Sequence, residues 1–324
     1  MSMHLPVRCS PASLRREQAL ASFGGRPFTA SDGLAAGLTR DDLRSAAVTR
    51  VARGVFVAGE QVVSHGLRVA GLSLILPAGA HFAGPTAAVL LGLSVGETER
   101  IHVSVPHGVE CRVSEVIVHR HARVVRTRAA WVKDAHMSVP VSVDEQLVQE
   151  LAAGSTLVET VVVADELLNR SRDPSGLREM WRAGAGPHRT FVRRVESLAR
   201  AGSESAMETR LRLLLVLGGL PEPTVQHPVL LEGRPRRFDL AYVPSLIAVE
   251  YDGAHHFRSE EQKHADAVRR DAAALAHWLV ISVVPHGIFR DPAGTLRRVA
   301  SACAARGMGF RPSHEWRQHF PQRE

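Results

Sequence analysis

The stretch Phe238-Asp239-Leu240-Ala241-Tyr242, followed by Ile247-Ala248-Val249-Glu250-Tyr251-Asp252-Gly253, decides how the chain is read. Its two runs of apolar and aromatic residues flank Pro244-Ser245 and predict two strands joined by a turn. Alternation puts Phe238, Leu240 and Tyr242 on one face and Asp239 on the other; in the second strand Ile247, Val249 and Tyr251 oppose Ala248, Glu250 and Asp252. A turn centred between Pro244 and Ser245 pairs 243 with 246, 241 with 248, and 239 with 250. Opposed Cβ atoms lie roughly 4.5–5.5 Å apart, a distance at which like charges destabilise a sheet. A cation between Asp239 and Glu250 is therefore expected. Mg²⁺ (or Mn²⁺) suits oxygen donors and is typically held by one or two carboxylates, and Asp252 on the same face would join them or hold a water. The alternative is a set of solvated acids on the outside of a half-buried hairpin.

The 324 residues suffice for two or three domains with ordinary cores, and 45% hydrophobic with 23% charged residues is a soluble globular composition. The most apolar stretch, 69–80, is interrupted by Pro77 and too short to span a bilayer, so no membrane association is expected. Cys9, Cys111 and Cys303 are far apart and lack metal-ligand spacing; a cytoplasmic location without structural zinc is the expectation. The net charge of +7 is carried almost wholly by arginine, Lys133 and Lys263 being the only lysines. This balance favours a polyanionic partner, DNA before membrane.

In residues 1–60 the pattern predicts helices at 13–21, 29–36 and 39–47, the third opened by a Thr39/Asp42 capping box, then strands at 48–52 and 54–57. Three short helices and a two-stranded wing make a winged helix-turn-helix. The segment 28–59, with Ala-Gly-Leu-Thr before the third helix and Val-Ala-Arg-Gly-Val-Phe in the wing, resembles the N-terminal domain of AbiEi-type antitoxin regulators. The resemblance implies that the third helix enters the major groove with Arg40 and Arg44 near bases or phosphates, while Arg50 and Arg53 on the wing touch the backbone. A protein-docking module with solvated arginines is the alternative.

Residues 61–200 show no catalytic signature and read as a middle α+β region: a buried helix at 85–93, strands at 101–105 and 116–121, and amphipathic helices at 143–152, 156–170 and 191–201. The runs at 84–93 and 141–145 resemble the middle region of the same regulators. His102, His107, His119, His121 and His136 read as scattered surface or strand residues, and 172–186 as the loosest stretch. From 201 to 306 the pattern gives a helix at 204–218, a strand at 224–231, the acidic hairpin, a helix capped by Ser259 and running to about 276, and a strand at 278–284. The tail 307–324 is without period. The fold class expected is an α/β (α+β) multidomain chain with a C-terminal αβββαβ core.

That order, with Asp on the second strand and E-x-D on the third, resembles the PD-(D/E)XK nuclease superfamily with its restriction-endonuclease-like core. The motifs Arg237-Phe-Asp-Leu-Ala241, Ala248-Val-Glu-Tyr-Asp-Gly-Ala-His-His-Phe257, and Asp266, Arg270 and Trp278-Leu-Val-Ile281 resemble, over roughly 100 residues, endonuclease domains related to very-short-patch-repair (Vsr) enzymes. The resemblance implies that Asp239 and Glu250 bind metal, that Asp252 occupies the place of the usual lysine, and that Glu208 is the acid of the first helix. His256 would handle the proton. Arg236, Arg237, Arg269 and Arg270 would hold the flanking DNA backbone. Glu208 paired with Arg212, and Arg269 and Arg270 as solvated helix residues, are the plainer alternatives. The activity expected is Mg²⁺-dependent phosphodiester hydrolysis in repair, defence or toxin-antitoxin control, with a homodimer left open. The rival is a non-catalytic AbiEi-like regulator carrying a degenerate nuclease fold.

Overall fold

The computed structural model describes residues 10–96, 99–121, 125–253 and 260–320. Within them the chain is mixed α/β with three sheets and divides into two compact units, 1–150 and 151–324, the division falling inside the stretch read as the middle region.

In the first unit, α1 (Pro11–Ala21), β1 (Phe28–Thr29), α2 (Ala30–Ala35), β2 (Val48–Ala52) and β3 (Val55–Ala58) build a small subdomain whose sheet runs β1-β3-β2. Its core is Ala19, Phe28 and Leu38, with Phe23 stacked on Phe28 at 4.0 Å between ring centroids. The third helix expected at 39–47 is a single 3-10 turn, Asp42–Arg44. The capping box does form, Asp42 N donating to Thr39 Oγ1 (3.1 Å) and Thr39 N to Asp42 Oδ2 (2.8 Å). Ser45 then ends it: its hydroxyl donates to the Asp42 carbonyl at 2.8 Å and accepts from Ala47 N at 3.2 Å, so side-chain bonding replaces helix propagation just before β2.

The rest of this unit comprises α3 (His65–Ser73), β4 (His81–Phe82), α4 (Gly84–Leu90), β5 (Ile101–Pro106), β6 (Val116–His121), β7 (Thr127–Val132), β8 (Met137–Ser142) and α5 (Asp144–Leu151). The strands form one sheet in the order β6-β5-β4-β8-β7, with β5/β6 and β4/β8 parallel.

The second unit opens with α6 (Leu157–Arg170), α7 (Pro174–Ala183) and α8 (Arg189–Leu198). Helix α7 occupies the stretch expected to be loosest. Asp173 caps it through Gly176 N (2.9 Å), Pro174 suits its first turn, and Leu177 and Trp181, four apart, are buried.

Next come α9 (Ala206–Leu217), β9 (Thr224–Leu231), β10 (Arg234–Tyr242), β11 (Ile247–Tyr251), α10 (Glu260–Leu275), β12 (Leu279–Val283), α11 (Pro285–Phe289) and α12 (Pro292–Ala305). The sheet runs β12-β11-β10-β9, antiparallel except for the β11/β12 pair, which α10 links as a crossover. Helices α9 and α12 cover one face and α10 the other, so both faces are apolar where they are covered. On the α10 side Leu231, Phe238, Ala241, Ala248, Ala272, Ala273 and Trp278 form one cluster.

Two features of α9 and α12 escape a reading by pattern. Arg212, in the middle of apolar α9, is 0% exposed and bonds Asp165 Oδ2 on α6 (3.0 Å) and Glu222 Oε1 (2.8 Å). Arg306, just after α12, donates to three carbonyls, those of Ser245, Leu246 and His277, and ties down the ends of β11 and β12.

The β10/β11 register is the expected one: Leu240 pairs with Val249, Ala241 with Ala248 and Tyr242 with Ile247. The connection is a 3-10 turn over Val243–Ser245 closed by Leu246 at φ 49°, in the left-handed region. Phe238 departs from the expectation. It joins Ala241 and Ala248 on the α10 side, its ring 4.9 Å from that of Trp278, instead of sharing a face with Leu240 and Tyr242. The cause lies opposite Asp239 in β9, where Gln226 sits at φ 50° and makes no ladder pair with it, so alternation is interrupted there. Among the described residues no helix is long and apolar enough to cross a membrane.

Candidate functional site

Asp239 stands where two ladders lapse. It is unpaired with Gln226 on one side, and on the other the β10/β11 pairing stops at Leu240 and Val249. Its Oδ2 instead accepts from Tyr251 N at 2.8 Å, which aims the carboxylate along β11 toward Glu250. Both acids line one cleft of about 130 Å³, together with Asp252, Arg269, Arg270 and Ser282.

Their electrostatics follow from this placement. Burial pushes the Glu250 carboxyl up to about 7, the charge of Asp239 adds to the rise, and Arg269 opposes it. Asp239 is also raised, first by burial and then by the charges of Glu208 and Glu204, against the Tyr251 hydrogen bond and Arg269. The charge of Asp239 thus resists ionisation of Glu250, as expected where two carboxylates share a cleft. The chain supplies a cation beside Glu250: the Arg269 guanidinium bonds Glu250 Oε1 and donates to the Arg237 carbonyl at 3.1 Å.

The donor chemistry fits a hard divalent ion. Mg²⁺ takes one or two carboxylates and completes its shell with water and substrate phosphate, and Asp239 with Glu250 supply that pair. Asp252, 8% exposed, lines the cleft, but among the described residues no three Asp, Glu, His or Cys side chains are placed to share one ion. His255, His256, Ser259 and Cys9 lie outside the described residues, as do the side chains of Lys263 and Asp266.

Glu208 is near the pair without lining its cleft. From the first turn of α9 it accepts from Ser205 Oγ, Glu204 N and Gln226 Nε2, each at 2.9 Å. The plainer expectation of a Glu208–Arg212 pair is not met, because Arg212 is taken by Asp165 and Glu222. A second, wider cleft of about 720 Å³ is lined by Asp239, Arg269, Arg236, Arg237, Glu204 and Gln226. Arg237 pairs there with Glu204 at 2.7 Å, both half-exposed. Asp239 and Arg269 line both clefts and so mark the boundary between them.

In the first unit Arg40, Arg44, Arg50 and Arg53 are all exposed. Arg44 pairs with Asp41 at 3.5 Å, Arg50 Nε reaches the Ala52 carbonyl at 3.3 Å, and Arg53 N donates to Glu115 Oε1 at 3.3 Å. Arg40 and Arg44 lie around a 3-10 turn instead of on a groove-length helix, whereas Arg50 and Arg53 are on the expected hairpin.

Of the five histidines read as scattered, His102, His119 and His121 lie close together on paired strands, near His81. The β5/β6 pairing brings His102 Nδ1 within 3.0 Å of His119 Nε2, and His121 Nδ1 within 2.9 Å of Ser104 Oγ. His81, 1% exposed, lies beside His121 and 3.8 Å from Glu150. Burial lowers the pKa of His102, His119 and His121, disfavouring their charged forms.

Comparison with known proteins adds distant kinship. The chain is 26% identical, over 278 residues, to the uncharacterized protein MT2308 of Mycobacterium tuberculosis (strain CDC 1551 / Oshkosh), covering 81% of this chain and 96% of that protein. The same figures hold for the uncharacterized protein Rv2248 of strain ATCC 25618 / H37Rv. No protein-family model matches the chain.

Proposed function

We propose that this chain binds DNA and hydrolyses its phosphodiester backbone with Mg²⁺ (or Mn²⁺), as an endonuclease of the Vsr-like PD-(D/E)XK kind behind an AbiEi-like winged helix. The observation that carries the reading is the approach of Asp239 and Glu250 within one cleft, where burial and the Asp239 charge raise the Glu250 pKa, beside a wider cleft edged by Arg236 and Arg237. The order α9, β9, β10, β11, α10, β12 around them supports it.

In this mechanism Asp239 and Glu250 hold the ion. When bound, it supplies a water of lowered pKa and positive charge against the scissile phosphate. Tyr251 N fixes the Asp239 carboxylate. Arg236, Arg237 and Arg270 grip the flanking phosphates, a task suited to the planar guanidinium. Asp252 orients the cleft's water where superfamily relatives carry lysine. Arg50 and Arg53 on the wing, with Arg40 and Arg44, add sequence-independent attraction to the duplex. The proposed location is the cytoplasm.

A second reading is favoured by one observation. Arg269 already neutralises Glu250, as it would in a non-catalytic regulator that keeps the fold for binding alone. Supercoiled plasmid incubated with Mg²⁺ separates the two. The wild-type chain nicks it and Asp239→Ala reduces nicking by at least about a hundredfold, the upper end of what losing a group that merely supports a metal ligand costs. No nicking by the wild type selects the regulator, and equal nicking by both proteins rejects the site.

A further inference from the structure

Among the described residues, Arg269 is the one whose guanidinium is bonded to a proposed metal ligand while also lining the wider cleft. It is a third exposed, whereas its partner Glu250 is 16% exposed, so the arginine is the member of the pair that faces incoming polyanion. Among the described residues it bonds Glu250 Oε1 and the Arg237 carbonyl, and Arg237 itself lines the wider cleft. A phosphate lying along Arg236 and Arg237 would meet the same guanidinium.

The carboxylate cannot serve both cations at full strength. A divalent ion on Asp239 and Glu250 would sit against the Arg269 charge in a half-buried cleft, where like charges interact more strongly than in water. Conversely, a phosphate offers the guanidinium a bidentate, charge-assisted partner that the single Glu250 contact does not match.

We infer that Arg269 is a gate that couples metal loading to DNA: bound to Glu250 it keeps the ion out, and the DNA phosphate draws it off so that Asp239 and Glu250 accept Mg²⁺ or Mn²⁺. This deepens the proposed endonuclease reading and rests on it. The chain alone then binds metal weakly, and indiscriminate hydrolysis is limited because the site is completed on the substrate. Linkage makes the effect reciprocal, the ion tightening DNA by the factor by which DNA tightens the ion.

The test is Mn²⁺ affinity of the full chain, read from loss of the free-ion electron paramagnetic resonance signal. It is measured with and without a short duplex bearing hydrolysis-resistant phosphorothioate linkages, the duplex alone being subtracted. Wild type is expected to gain at least about fivefold in Mn²⁺ affinity with DNA, the lower end of typical couplings. Arg269→Gln is expected to bind Mn²⁺ at least about fivefold more tightly than wild type without DNA, and to show a DNA effect near unity. Arg269→Met, which keeps the aliphatic stem, repeats the measurement should the glutamine variant misfold. Arg297→Gln, which removes an exposed positive charge from α12, leaves Mn²⁺ affinity unchanged and separates gating from net charge. Equal affinities for wild type and Arg269→Gln without DNA, or no effect of DNA on wild type, overturn the gate. If Mn²⁺ still binds and Glu250→Gln removes it, the gate fails while the endonuclease reading stands. Absence of Mn²⁺ binding in every state defeats both.

Discussion

Replacing Arg212 with methionine should destabilise the second unit severely. Arg212 is 0% exposed and Asp165 1%, and the pair is reinforced by Thr209 Oγ1 (2.8 Å) and Arg200 N (2.6 Å) on Asp165 and by Glu222 on Arg212. Burial alone raises the Asp165 pKa, and Arg212 is the largest influence holding it down. Methionine fills much of the aliphatic volume, so the dominant loss is an acid buried without its cation. Breaking a buried pair in this way costs about 3–5 kcal/mol. Glu222 keeps contact with water and with Arg200, so its share is small. With a urea m-value of about 2 kcal/mol/M, a loss of about 4 kcal/mol moves the midpoint by about 2 M. The assay is urea unfolding followed by tryptophan emission, because Trp181, Trp278 and Trp316 are all buried in this unit. A loss below about 1 kcal/mol would refute the reasoning, showing that α6 and α9 are held by their apolar contacts alone.

Acid should loosen the first unit. The folded pKa values of His102, His119 and His121 are depressed below 6.5, in a group that also faces His81, Glu150 and Arg100. Below pH 6.5 the unfolded chain therefore binds more protons than the folded one, and stability is lost as pH falls from there. Histidine C2-proton NMR checks this, and midpoints at or above 6.5 contradict it. On the wing, Arg50→Ala with Arg53→Ala should weaken duplex binding uniformly across sequences and reduce the salt slope of log K by roughly two. Fluorescence anisotropy over a salt series measures it; an unchanged slope removes the hairpin from the DNA interface.

Much of the last sheet was legible because its signals are local. Turn residues at 244–245 and strict alternation in 247–251 set the β10/β11 register, and β9 and β12 sit within a residue of the expected bounds. Where a second interaction competes with the local signal, the reading fails. Thr39 and Asp42 build the expected cap, but Ser45 diverts the chain, and Gln226 at φ 50° undoes the alternation that would separate Phe238 from Asp239. Long-range meetings left no pattern to read. Arg269 reaches Glu250 only because α10 crosses back over the sheet, and the histidines of β5 and β6 meet through a parallel pairing of partners 17 positions apart. Buried Arg212 was equally hidden, since an isolated cation in an apolar helix identifies no partner until α6 is packed against it.

The acid pair itself is tested most directly by calorimetric titration of Mg²⁺ into the full chain saturated with a DNA duplex. One ion per chain is the predicted result, with uptake abolished in Asp239→Asn, which keeps the acceptor for Tyr251 N and removes only the charge. Undiminished uptake by that variant, or none by the wild type, would contradict the claim that Asp239 and Glu250 are brought together to hold a metal ion.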